Sequence, residues 1–90
     1  MNTMITWTVY VIYSSKRDRY YIGVTSDISR RIQEHNTSHS PYTKGGSPWI
    51  LKHREEFKSI EEAYKRERFL KSKKSRGIIE MIVGSPDVRL

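Results

Sequence analysis

The ninety-residue chain has no cysteine, which excludes disulfides and thiolate metal sites and suits a cytoplasmic protein. No apolar run approaches the ~20 residues needed to cross a bilayer, so no membrane partner is expected. The opening MNTMITWTVYVIY alternates polar and apolar residues and lacks a basic leader, which argues against a signal peptide. Internal repeats and low-complexity tracts are absent as well. Acidic residues are few: 10 Asp and Glu stand against 17 Lys and Arg, for a formal net charge of +7. A surplus of that size favours a polyanion as partner. A well-solvated basic surface would account for the charge alone equally well, but its distribution is uneven. Residues 64–76, YKRERFLKSKKSR, carry seven Lys or Arg and one acid, Glu67.

Ninety residues make one domain with a modest core, expected over about residues 7–83, with 84–90 as a loose tail. Trp7 to Tyr13, WTVYVIY, alternates and is rich in β-branched and aromatic residues, so it reads as a strand. The polar turn SSKRD leads into a second, antiparallel strand, RYYIGV. Thr25 or Ser26 is placed to cap a helix reaching about Asn36. Thr37 to Pro48 is a long loop of Ser, Gly, Pro and His, of a length that is usually functional or disordered. WILKHREEF is a third strand. Ser59 to Glu62, SIEE, is a capping box that opens a helix through about Lys74. Ser75 can cap a last short helix, IIEMIV, ended by Gly84. The expected order is β-β-α-β-α-α, an α/β (α+β) fold with a small three-stranded antiparallel sheet flanked by helices.

Polar residues stand where these helices should be apolar. A helix turns about 100° per residue, so with Ile28 at zero, Ile32 falls at about 40°, Arg31 at about 300° and His35 at about 340°. Arg31 and His35 therefore share the sector that faces the sheet. On the next helix Ile60, Ala63, Tyr64 and Leu70 form the apolar stripe, and Glu67 sits near its centre. An unpaired buried carboxylate is expensive, so Glu67 needs a cation, a metal or a shifted pKa. An Arg31–Glu67 ion pair with a hydrogen-bonded core histidine is one account. Buried ion pairs add little stability on average, so the three together favour a polar cleft lined by both helices. Tyr10 and Tyr21 join that face only if the residue numbers of cross-strand partners sum to an odd value. Gly23 would then share the face and leave room for a backbone or phosphate to approach. Trp49 and Phe69 read as core residues. His35 and His39 have zinc-like spacing without two further ligands.

Taken in order, these residues resemble the GIY-YIG nucleases. YIG is literal at Tyr21-Ile22-Gly23, and the GIY element corresponds to Thr8-Val9-Tyr10. The family's arginine and the histidine four residues later match Arg31 and His35, and its metal-binding glutamate matches Glu67. The chain is most similar to the short stand-alone bacterial branch, whose members are related to the nuclease domain of the excinuclease. That branch carries a YT-K/R-G loop, here Tyr42 to Gly45. The asparagine that many members carry after the glutamate helix has no counterpart, since the only asparagines are Asn2 and Asn36.

The resemblance implies a metal-dependent DNA endonuclease with Tyr10, Tyr21, Arg31, His35 and Glu67 as catalytic residues. Glu67 would hold Mg²⁺ or Mn²⁺, and a role in DNA repair or recombination follows. DNA, branched or single-stranded, is the expected partner, with RNA also open and a protein partner for targeting. Tyr42, Lys44, Lys71, Lys73, Lys74 and Arg76 are the candidate nucleic-acid contacts. The alternative is a non-catalytic or partner-dependent binding module that uses the basic Lys71–Arg76 face.

Overall fold

The computed structural model describes residues 5–37, 40–72 and 76–88. The elements are β1 (Trp7–Ser14), β2 (Arg19–Thr25), α1 (Ile28–Asn36), β3 (Trp49–Phe57), α2 (Ile60–Ser72) and α3 (Arg76–Val88). They follow the expected β-β-α-β-α-α order. The sheet is antiparallel throughout, with strand order β2-β1-β3.

β1 is the central strand and is covered on both faces. Val9 and Val11 join Ile22, Ala63, Leu70 and Ile79 in one core beneath α2 and α3. Tyr10 and Ile12 form a second core with Trp49 on the opposite face, packed by Ile28 and Ile32 of α1 and by Tyr21 and Leu51. Strand alternation thus splits one run of residues between two cores.

Two details of register build the α1 face. Tyr10 pairs with Gly23 and Ile12 with Tyr21, so partner numbers sum to 33 and both tyrosines share a face. Against β3, Val11 pairs with His53 but Ile12 pairs with Leu51, a bulge that leaves Lys52 as the extra residue. The bulge turns Trp49 and Leu51 inward and leaves Ile50 exposed.

Several local expectations change. Asp27, not Thr25 or Ser26, caps α1: its carboxylate accepts from the Arg30 amide at 3.1 Å. Thr25 instead receives the Asp27 amide at 3.1 Å, which sets the turn before the cap. Ser59 caps α2 by accepting from the Glu62 amide at 3.2 Å. α3 continues through Gly84 to Val88. Gly84 does not adopt the positive φ of a helix-ending glycine, so the helix runs into the segment expected to be a loose tail. Tyr64 and Phe69 are about half exposed. With Ala63 at zero, Leu70 lies at about −20°, whereas Tyr64 lies at about 100° and Phe69 at about 240°, outside the buried sector. Phe69 instead lies 5.4 Å from the Arg66 guanidinium, across its ring. Ser75, the expected cap of α3, lies outside the described residues, as do His39, Lys73 and Lys74.

Candidate active site

Tyr10 projects from the middle of β1 toward α1 and crosses Gly23. A Cβ on Gly23 would lie 2.6 Å from Tyr10 Cζ, so the space expected to admit a backbone or phosphate is filled by the tyrosine ring. The Tyr10 hydroxyl reaches His35 Nε2 at 2.8 Å. His35, in the last turn of α1, is 1% exposed, and its Nδ1 lies 2.7 Å from the Thr43 hydroxyl. Tyr21 closes the group, with its ring centroid 6.4 Å from Tyr10 and 5.1 Å edge-on from His35.

Burial dominates the electrostatics. Desolvation pushes the Tyr10 pKa up to about 12, with Arg31 pulling it down and Tyr21 and Glu67 adding to the rise. The lowered value a tyrosine base requires is therefore not built into the protein alone. Desolvation also holds His35 down at about 4, helped by the Arg31 charge and opposed by Glu34. His35 is accordingly neutral at physiological pH.

Arg31 is not the partner of Glu67. Its guanidinium donates to Glu34 at 2.7 Å. That bond is the main cause raising the Arg31 pKa, and Tyr10 adds to it. Glu67 pairs instead with Lys71 at 2.9 Å, its own side chain only 17% exposed. Its carboxylate is near enough to Tyr10 to raise the tyrosine's pKa. The fold thus brings Tyr10, Tyr21, Arg31 and His35 together, with Glu67 within electrostatic reach.

The remaining candidates are scattered. Tyr42, 80% exposed, and Lys44, also exposed, flank Thr43 on the loop beside His35. Arg76 is engaged elsewhere. It donates to Asp18 Oδ1 at 2.6 Å and Glu80 at 3.0 Å, and it lies 5.4 Å from the Tyr20 ring centroid. Tyr13 also donates to Asp18, at 2.6 Å, so this cluster ties the β1–β2 turn to α3. The basic residue that α2 presents to β3 is Arg66, which binds Glu55 bidentately at 2.8 and 3.0 Å. Burial would raise the Glu55 pKa, but Arg66 and His53 outweigh it and hold it low.

Thr43 is the site residue that sequence reasoning missed. It is fully buried although it lies in a polar loop. The only signal was its place between Tyr42 and Lys44 in the loop motif. Asn36 has a structural part, joining α1 to the start of β3 by accepting from the Trp49 amide and donating to its carbonyl.

A divalent cation can be tested against these side chains. Among the described residues no three His, Cys, Asp or Glu side chains cluster as a metal cage. Glu67 offers a partly accessible carboxylate within electrostatic reach of Tyr10. A single carboxylate fits a hard, largely hydrated ion such as Mg²⁺ or Mn²⁺ that completes its shell with water and phosphate oxygens.

The protein is a small α+β domain in which two tyrosines, a histidine and an arginine gather at one face of a three-stranded sheet. Residues 6–79 match the model of the GIY-YIG catalytic domain. The chain belongs to the GIY-YIG family, a family of nuclease domains that generally use a divalent metal. It is 45% identical over 64 residues to a UPF0213 protein of Halobacterium salinarum, covering 70% of this chain and 82% of the relative. A UPF0213 protein of Desulfotalea psychrophila is 39% identical over 67 residues, covering 72% of this chain and 60% of the relative. The solution NMR structure of a UPF0213 protein from Bacillus halodurans aligns with TM-score 0.57 and 32% identity, over 89% of this chain and 84% of that one.

Proposed function

We propose that the protein is a metal-dependent endonuclease that hydrolyses phosphodiester bonds in DNA, branched or single-stranded forms included, and acts in repair or recombination in the cytoplasm. The observation that carries this reading is the buried Tyr10–His35 hydrogen bond at 2.8 Å, with Arg31 and Glu67 both acting on the same tyrosine. A phenol held against a neutral imidazole has somewhere to send its proton.

In this reading Tyr10 accepts a proton from the attacking water while its own proton passes to His35, a transfer that bound phosphate and cation have to drive, because burial keeps both groups neutral in the protein alone. Tyr21, packed beside both rings, helps to position that water. Arg31, kept charged by Glu34, meets the negative charge that grows on the phosphate. Glu67 would hold the Mg²⁺ or Mn²⁺ ion, which supplies Lewis-acid relief of phosphate and leaving-oxygen charge when bound. Tyr42 and Lys44, exposed on the loop beside His35, meet the nucleic acid, and Lys71, Lys73 and Lys74 supply further cations along the chain after Glu67.

One observation favours a partner-dependent module instead. Lys71 sits on the Glu67 carboxylate, so the acid is already neutralised until something displaces the lysine. A nucleic-acid or protein partner that draws Lys71 away would expose it. A cleavage assay on single-stranded, duplex and branched DNA, and on RNA, with Mg²⁺ or Mn²⁺ and an EDTA control separates the readings. Metal-dependent cleavage lost in Glu67→Gln supports the enzyme, whereas binding without cleavage under every condition refutes it.

A further inference from the structure

The neutral His35 ring can carry its single N–H on either nitrogen, and the choice decides what Tyr10 presents to a substrate. Thr43 faces the ring from the far side. Its hydroxyl lies 2.7 Å from Nδ1 and 3.4 Å from the Ser40 carbonyl, to which it donates. The backbone of Thr43 is clamped in turn. Its amide donates to the Ser40 carbonyl at 3.2 Å, and its own carbonyl accepts from the Gly46 amide at 3.1 Å and Trp49 Nε1 at 3.0 Å. Gly46 has no room to change, because a Cβ there would lie 2.7 Å from the Trp49 ring. The hydroxyl is therefore held at a fixed point against the imidazole.

The Ser40 carbonyl can only accept, and although its 3.4 Å contact is long it gives the one proton of the Thr43 hydroxyl a place away from the ring. With the proton there, the Thr43 oxygen accepts from Nδ1–H. Resting on the nuclease reading above, we propose that Thr43 is a positioning residue that fixes His35 with its proton on Nδ1, leaving Nε2 to accept the Tyr10 proton.

The consequence is directional. With Nε2 as acceptor, the Tyr10 O–H points at His35 and the phenolic lone pairs turn outward, ready to take a proton from water. The reverse tautomer would donate Nε2–H to Tyr10 and turn the phenolic proton outward, where it can only donate. In the forward step a water O–H breaks, and its proton forms a new O–H bond on Tyr10. The original Tyr10 proton forms an N–H bond at Nε2, and the hydroxide so generated attacks phosphorus. The P–O bond to the leaving oxygen breaks, and that oxygen takes a proton from solvent. His35 returns its extra proton to solvent, with Nδ1–H unchanged. The same loop thus presents Tyr42 to the outside and the tautomer-setting hydroxyl to the inside.

Long-range ¹H–¹⁵N correlation spectra of the full chain at pH 7 test the assignment without any cleavage. A protonated Nδ1 and an unprotonated Nε2 at His35 are expected in the parent; an Nε2–H tautomer there overturns the proposal, whatever the activity. Thr43→Val keeps the shape and removes the hydroxyl, and should mix the two tautomers. On duplex DNA with Mg²⁺, kcat should fall by about 10- to 100-fold with KM little changed, the usual cost of losing an orienting partner. Thr43→Ser should restore both tautomer and rate. An unaltered tautomer and kcat in folded Thr43→Val also overturns the proposal. If the parent cleaves no nucleic acid, the spectra still decide the tautomer, so failure of the nuclease reading is seen separately.

Discussion

Glu67 forms its ion pair with Lys71, one turn along the same helix at 2.9 Å, and leaves Arg31 to Glu34. No buried Arg31–Glu67 pair exists to be broken. A half-exposed i,i+4 pair contributes only about 0.3–0.5 kcal/mol. Glu67→Gln should therefore melt within about 1 kcal/mol of the parent, while cleavage falls by ~10²-fold or more. Melting and cleavage measured on one preparation check this, and normal cleavage by folded Glu67→Gln would remove the residue from the mechanism.

Tyr10→Phe keeps the ring over Gly23 but leaves His35 Nε2 without its partner. Losing one side of a buried hydrogen bond should cost about 1–3 kcal/mol in urea unfolding. Activity should drop further, by ~10²–10⁴-fold if the hydroxyl handles the water's proton. Equal activity in the two proteins would assign that proton to another group.

Gly23→Ala tests the close approach of strand and ring. The added methyl meets Tyr10 Cζ at 2.6 Å, so either the ring moves or the strand does. Overpacking of this kind should destabilise by about 1–3 kcal/mol. Cleavage should be lost even where the variant still folds, because Tyr10 would no longer meet His35.

His35 gives a pH signature. Its pKa is lowered from 6.5 to about 4 in the folded chain, so between those values the unfolded chain binds the extra proton. Stability from this burial is complete above the unfolded pKa and is lost as pH falls to the folded one, roughly 3 kcal/mol at most. An NMR titration of the His35 ring should show a midpoint near 4; a midpoint at the ordinary histidine value would contradict burial of the ring.

Salt dependence tests which cations meet phosphates. Lys44→Ala should reduce the log–log slope of DNA affinity against salt by about one unit, and neutralising Lys73 and Lys74 together by about one to two. Arg76→Ala should leave the slope unchanged and lower the melting temperature, because its guanidinium holds Asp18 and Glu80.

The element order was legible in the sequence because alternation and helical periodicity are local properties. WTVYVIY and WILKHREEF became β1 and β3, and Ser59 capped α2 where SIEE placed it. The inward direction of His35 also followed from helical spacing alone, since rotation about a helix axis is set by residue number. Cap choice was less legible, because Thr25, Ser26 and Asp27 are all competent caps and the chain's exit from β2 selects among them.

Local patterning was enough for the order of the elements and for the residues available to a site: two tyrosines, an arginine, a histidine and a glutamate in order. How they meet depends on long-range packing. The partner sum of 33 between β1 and β2 put Tyr10 and Tyr21 on one face, and nothing in either strand fixes that register. Arg31 chose Glu34, and Glu67 chose Lys71, because ion pairs within one turn of a helix need no long-range closure. Thr43 reached His35 only through the folding of a loop whose local sequence reads as solvent-facing. Short-range periodicity names the parts of such a site, and long-range register and loop closure set the distances between them.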